Sequence, residues 1–280
     1  MQVEQCKSLG LTEVSIKIIN GRNSRWEWNL YHPEDQNEDL LPFTIAALRE
    51  AGIRVKGWGY SYGGYWVNRR LGAFVKSASI ARDEGRRAGE LCLVHGIDEF
   101  GVDIEGEYNR NGMEPSAEAF MAGFQEIAPE VEQTLCSYRF PTTYQPKVPV
   151  GVFAPHMEGW SPQVYFVGDN REMGGAIQLE ISYEQYMRIR KLPYVAVAPT
   201  YADERTGWRA AYNQLIAFFN AAKILGCSGV SVWDLPQASP EQLAAIKDFE
   251  WNQIVPPPPT EKAVVEVEVT KGEVDIEVIE

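Results

Sequence analysis

The sequence predicts an α/β fold, a (β/α)8 TIM-type barrel, on two observations. Short apolar runs alternate with helical stretches from residue 1 to about 252, and each run is aliphatic on one face only. The expected strands are Val14–Ile19, Arg54–Tyr60, Gly101–Glu105, Thr134–Tyr138, Gln163–Val167, Tyr194–Pro199 and Gly229–Trp233. Between them, helical spacing predicts Leu40–Ala51, Ser77–His95, Ser116–Ile127, Tyr183–Lys191 and Trp208–Leu225, the last closed by Gly226 as a C-terminal cap. Repeated strand-then-helix units imply a parallel sheet covered by helices.

The one-sided character of the strands separates a barrel from an open sheet. A strand covered on both faces of an open parallel sheet reads as nearly continuous aliphatic sequence. Here Val14, Ile16 and Ile18 alternate with Ser15 and Lys17, Val164 and Phe166 with Gln163 and Tyr165, and Val230 and Val232 with Ser231 and Trp233. The aliphatic face suits a helix layer, and the polar or aromatic face converges on a central axis.

The expected first strand has no counterpart. The chain opens with a helical stretch, about Val3–Leu9, that leads directly into Val14–Ile19. An irregular closure, a filling segment or subunit, and a truncated start are all compatible with this. Residues 1–252 are therefore assigned to the barrel, 253–262 to a stiff proline-rich linker and 263–280 to an acidic tail. The tail alternates Val or Ile with Glu or Asp around Lys271-Gly272, the pattern of two strands and a turn. A lone hairpin is marginal in water, so the tail either pairs with a partner's sheet edge or another copy, or is a frayed segment that aids solubility.

A chain of 280 residues with 45% hydrophobic content can bury a full-sized core. A net charge of -13 excludes phosphate neutralisation, so no nucleic-acid partner is expected, and the same acidity disfavours anionic membranes. Cys6, Cys92, Cys136 and Cys227 are widely spaced, which signals neither zinc nor a disulfide framework. His32, His95 and His156 are isolated, no phosphate-binding glycine loop is present, and neither cofactor nor metal is expected. No apolar export run follows Met1, so synthesis in the cytoplasm without a signal peptide is expected, with action at a cell wall or within a particle.

The segment Asp98-Glu-Phe-Gly-Val-Asp103-Ile-Glu105 carries the chemistry. Period-two alternation sets Asp103 and Glu105 on one face and Val102 and Ile104 on the other. Two like charges buried side by side lead one carboxyl to keep its proton near neutral pH, as a general acid for glycosidic-bond cleavage requires. The alternative is a structural salt-bridge network with inward Lys17 or Arg139.

Asp98 to Glu105 resembles the DGxDxDxE strand-four signature of the chitinase and endo-N-acetylglucosaminidase glycoside hydrolases. Ser-Pro-Gln-Val-Tyr165 is similar to their strand-six tyrosine and Gly-Val-Ser-Val-Trp233 to their strand-eight tryptophan. Asp-Ile-Glu is also similar to the Asp-x-Glu of barrel-fold lysozymes. With Gly-Trp-Gly-Tyr60 and Ser-Tyr-Arg-Phe-Pro141 included, residues 5 to 235 look like uncharacterised glycosidase-like barrels of bacteria and phages. The chain departs from the signature at Glu99 and at Gly101, which stands where the middle Asp belongs; Glu107 is a candidate third carboxylate.

The resemblance implies a polysaccharide substrate of β-linked N-acetylhexosamine, peptidoglycan ahead of chitin. Glu105 would be general acid and then base, Asp103 would orient the 2-acetamido group, Tyr165 would bond its oxygen, and Trp233 would floor the sugar. Trp58, Tyr60, Tyr138, Arg139 and Gln163 lie at equivalent strand ends as further binding candidates. The competing expectation is a non-catalytic barrel serving as a carbohydrate-binding or structural subunit of an assembly such as a virion.

Overall fold

The structure is a computed structural model that describes residues 3–21, 41–68, 73–251, 265–270 and 273–278. His32, Leu40, the linker expected at 253–262 and the Lys271-Gly272 turn lie outside the described residues. Contacts divide the chain into two units, Met1–Glu250 and Trp251–Glu280. The first unit runs α1 (Val3–Ser8), β1 (Glu13–Asn20), α2 (Leu41–Glu50), β2 (Arg54–Ser61), the hairpin β3 (Tyr65–Asn68) and β4 (Ala73–Lys76), α3 (Ala78–His95), β5 (Glu99–Ile104) and α4 (Glu114–Ile127). It continues through β6 (Glu132–Cys136), α5 (Val150–Phe153), β7 (Gly159–Trp160), α6 (Gly174–Ile189), β8 (Val195–Pro199), α7 (Tyr212–Ile224), β9 (Gly229–Trp233) and α8 (Pro240–Asp248).

The strands β1, β2, β5, β6 and β7 form one parallel sheet in that order, and β8 pairs β9 in parallel. Single parallel bridges, Trp160 to Tyr194 and Gln163 to Val197, carry the series from β7 to β8. The result is the sequence-ordered parallel wall of a TIM-type barrel with helices outside it. Among the described residues no strand pairs β9 with β1. Both borders of that interval are incompletely covered, since Ser15 is exposed and no residue of β9 is fully buried. The interval is where the sequence lacks its first strand.

The outward faces supply the core. On β5, Phe100, Val102 and Ile104 are buried, and Val164 and Phe166 are fully so. Helix α3 shows how the layer is cut to length: the Ser77 hydroxyl oxygen accepts from the Ile80 N–H at 3.3 Å, and Gly96 closes the far end in the left-handed region at φ 61°. No helix among the described residues is long and apolar enough to cross a membrane.

Three expectations need correction. Gln163–Val167 is not a continuous strand: β7 is only Gly159–Trp160, because Pro162 lacks an N–H for the ladder, and Gln163 reaches its neighbours through isolated bridges to Tyr138 and Val197. The helix expected at Tyr183–Lys191 starts at Gly174, and its glycines, poor helix formers, are accounted for by packing. A Cβ on Gly175 would lie 2.7 Å from the Phe166 ring. The helix expected from Trp208 begins at Tyr212, while β3–β4, α5 and α8 were not anticipated.

In the second unit, β10 (Val265–Thr270) pairs antiparallel with β11 (Glu273–Val278), with Glu268 opposite Asp275.

Candidate active site

The inward face of β5 reads Glu99, Gly101, Asp103 and then Glu105 just past its end, a row running from the start of the strand to its C-terminal mouth. Asp103 is 5% exposed. Pairing on one side sets Tyr60 of β2 beside Asp103 and Trp58 beside Gly101; on the other, Cys136 of β6 lies beside Asp103. The mouth of the barrel is thus built by register alone.

One amide joins the two central carboxyls. The Gln163 Nε2 donates to Glu105 Oε1 at 2.6 Å and to Asp103 Oδ1 at 3.1 Å, and lies 3.7 Å from the Cys136 sulfur. The Gln163 backbone is fixed by its N–H to the Ser137 carbonyl at 2.8 Å. Burial, then the charge of Glu105, pushes the Asp103 carboxyl well above its ordinary value, while the Cys136 thiol and Lys17 oppose this without cancelling it. Burial and the neighbouring Glu105 thus both favour the protonated form of Asp103. The Cys136 thiol is itself pushed well up by burial and by both neighbouring carboxylates, so it stays neutral.

Glu107, the third acid, accepts from the Tyr60 hydroxyl at 2.5 Å. Burial and that bond raise the Tyr60 phenol far above its usual range. Tyr138 is pushed up to about 12, first by burial and then by Glu105 and Glu107. Tyr165 is raised well above the ordinary phenol value by burial, and its ring meets Tyr201 edge-on at 5.6 Å.

An aromatic wall stands beside the acids. Trp58 and Trp233 meet edge to face at 5.1 Å, and Trp233 keeps 37% of its surface open. The peptide between Trp233 and Asp234 is cis. The Lys17 ammonium lies 4.7 Å from the Trp58 ring centre and is pulled down by burial against the raising fields of Asp103 and Glu105. Among the described residues no ion pair within 4.0 Å involves Asp103, Glu105 or Glu107. The salt-bridge network weighed from the sequence is not what holds them. Arg139 stacks over Phe140 at 5.2 Å and interacts with Tyr144 and Tyr201, at the edge of the cluster.

The departure at Gly101 lies against β2. A Cβ there would sit 3.3 Å from the Trp58 Cβ, a tight approach, and 3.6 Å from the Thr134 hydroxyl, an ordinary contact, so an Asp would need Trp58 to give slightly.

A second, drier layer steadies the mouth. Glu84 of α3, 3% exposed, accepts from the Ser61 hydroxyl at 2.9 Å and from the backbone N–H groups of Tyr62, Gly63 and Gly64 at 3.0, 3.1 and 3.2 Å. Burial nonetheless lifts it to about 7. Ser61 also meets the Tyr108 hydroxyl at 3.0 Å, so this nest ties the end of β2, which carries Tyr60, to the loop after β5, which carries Glu107. Gly64 has φ 65°, and a Cβ there would fall 2.0 Å from the Ser77 carbonyl, so only glycine fits the turn.

The site residues singled out in the sequence, except Arg139 at the edge, thus group around the end of β5. Cys136, Tyr201 and the Glu84 nest were missed. Cys136 was accessible in principle, since alternation puts Thr134, Cys136 and Tyr138 on one face; Glu84 looks in sequence like any charge on an exposed helix. No three His, Cys, Asp or Glu side chains among the described residues are placed to hold a metal ion.

No family model matches the sequence, and no curated protein matches it. Solved structures do match the fold. A chitinase from Chromobacterium violaceum superposes with a TM-score of 0.58 at 10% identity, covering 88% of this chain and 93% of that one. A family GH18 chitinase from Cycas revoluta, in complex with allosamidin, gives 0.58 at 13% identity with the same coverage of 88% and 93%. An endoglucanase from Pseudomonas stutzeri gives 0.59 at 11% identity, covering 88% and 83%. The fold is that of the TIM-barrel glycoside hydrolases.

Proposed function

We propose that the chain is a glycoside hydrolase that cleaves β-linked N-acetylhexosamine polymers, peptidoglycan ahead of chitin. The observation that carries this reading is the Gln163 amide bridging Asp103 and Glu105, a carboxyl pair with no cation within ion-pair distance among the described residues, in which burial favours the protonated form of Asp103. Such a pair stores a proton where a glycosidic oxygen can receive it.

The chemistry follows from that protonation. Asp103 passes its proton to Glu105, and Glu105 delivers it to the glycosidic oxygen as the bond to the anomeric carbon breaks. The substrate's acetamido carbonyl oxygen forms the new bond to that carbon. The Asp103 carboxylate, now charged, faces the positive charge that develops on the acetamido group, and the Tyr165 hydroxyl donates to its oxygen. Water then attacks the anomeric carbon as the bond to the acetamido oxygen breaks, and Glu105 accepts the water's proton and passes it back to Asp103, restoring the starting state. Trp233, open at the mouth and braced by Trp58, supplies an apolar plane for the C–H face of the ring.

The test compares the wild-type protein with Glu105→Gln on cell-wall sacculi and on chitin oligosaccharides, following reducing ends. Loss of the general acid lowers the rate about 10³-fold. Equal release by both proteins removes Glu105 from the role. Binding without turnover by the wild type selects the non-catalytic carbohydrate-binding barrel instead.

A further inference from the structure

A groove of about 550 Å³ is walled by the segments that follow β5 and β6, at the end of these strands that carries Glu105. The first contributes Arg110, Asn111 and Glu114; the second contributes Lys147 and Pro149. Arg110 and Lys147 are both exposed, one on each wall. Glu114 is the single acid in the lining, at the first position of α4, where the helix dipole favours it. A third cation backs the floor: the Lys76 ammonium donates to the Asn111 and Gly112 carbonyls at 3.2 and 2.6 Å. In a chain of net charge -13, this is a local reversal of sign.

The groove is built rather than incidental. The Arg110 guanidinium stacks over the Tyr65 ring at 4.6 Å, which sets its position. Pro146 and Pro149 stiffen the opposite wall, so the cavity exists before anything enters it. The Lys147 ammonium makes no hydrogen bond or ion pair among the described residues. The same loop that opens with Glu105 reaches Arg110 five residues later, at most about 18 Å away along an extended chain. These cations are therefore within reach of a polymer held at Glu105.

We propose that this groove is a subsite for a carboxylate carried by the glycan, and that Arg110 and Lys147 set the preference for an anionic polymer over a neutral one. The inference rests on the hydrolase reading for its choice of ligand, though a binding subsite stands whether or not turnover occurs. Chitin offers no negative charge. Peptidoglycan offers two kinds of carboxylate, the lactyl group of sugars that carry no stem peptide, where it is free rather than amide-linked, and the acidic groups of the peptide stems. Either satisfies a two-cation groove, and the two sources are separable by experiment.

The experiment is co-sedimentation of the full chain with intact sacculi, with sacculi stripped of stem peptides by an amidase, and with chitin. It uses Glu105→Gln, so that any turnover does not consume the polymer, with and without Arg110→Ala/Lys147→Ala. The double substitution is expected to lower the ratio of sacculus to chitin affinity about tenfold at low salt, an effect that fades as ionic strength rises. Charge-conserving Lys147→Arg retains the ratio. A loss on stripped sacculi, whose lactyl carboxyls the amidase has freed, assigns the lactyl carboxylate; a loss on intact sacculi only assigns the peptide. An unchanged ratio, whether both affinities fall together or neither falls, overturns the subsite. Failure of the hydrolase reading shows separately, as wild-type protein that binds sacculi and releases no reducing ends.

Discussion

Glu99 and Asp103 lie on the same face of the same strand, four residues apart and each 5% exposed, yet the protein treats them oppositely. At the start of β5, Glu99 is held by Lys56 at 2.7 Å and Arg54 at 2.9 Å, and Lys56 also takes Glu13 at 2.7 Å. At the end of β5, Asp103 receives an amide, a thiol and another carboxyl. Exposure is equal, so the difference lies in the partners: two cations hold Glu99 in a structural network, whereas burial beside Glu105 favours the protonated form of Asp103. The division matches barrel logic, in which the bottom face is tuned for stability and the top face for chemistry. It also explains why Lys17, the cation nearest the upper cluster, is parked over Trp58 without closing an ion pair.

Glu84 is a third solution, a carboxylate satisfied by a nest of N–H groups, and removing it is the largest expected disturbance. Glu84→Ala leaves the Ser61 hydroxyl and three backbone N–H groups without their acceptor in a dry interior. The expected loss is about 4 kcal/mol of unfolding free energy, read by denaturant titration. A loss under 1 kcal/mol would mean that water replaces the carboxylate. Next comes the lower network: Lys56→Met strips one of two cations from Glu99 and should cost about 2 kcal/mol while leaving saccharide affinity unaltered. If Lys56→Met weakens saccharide binding, the two ends of β5 are not independent and the comparison fails.

Much of this was legible in the sequence, and the limits are physical. Alternation in β1, β5 and β9 placed Lys17, Asp103, Glu105 and Trp233 on the inner face because side-chain period in a strand is independent of tertiary context. Gln163 was legible as a strand-end residue but not as the bridge between the acids. That role depends on the interruption of β7 at Pro162, after which the Gln163 amide passes Cys136 of β6 to reach the carboxyls of β5, one strand beyond. The division between Glu99 and Asp103 was invisible. Sequence shows two acids on one face, whereas the difference lies in which residues of β1, β2 and β6 the register brings alongside. The Glu84 nest was hidden for the same reason, since a turn with two left-handed glycines must form before its N–H groups converge.

Asp103→Asn tests the comparison most finely, because it mimics the neutral state that the upper site already holds. Folded Asp103 is pushed well above the ordinary carboxylate range, whereas the unfolded chain loses its proton near the usual aspartate value of 3.8. Above that pH the native state binds more protons than the unfolded one, so this group makes stability fall as pH rises until the folded carboxyl itself titrates. The slope from one proton is at most about 1.4 kcal/mol per pH unit. Asp103→Asn abolishes that fall, and the variant should therefore gain stability relative to wild type as pH increases from about 4, while any saccharide turnover drops at least tenfold because the proton store is gone. Thermal melts across pH 4 to 8 read the first effect and reducing-end release the second. Parallel melting curves for the two proteins over that range would mean that Asp103 is charged in the fold, as Glu99 is, and that the two ends of the strand are held alike.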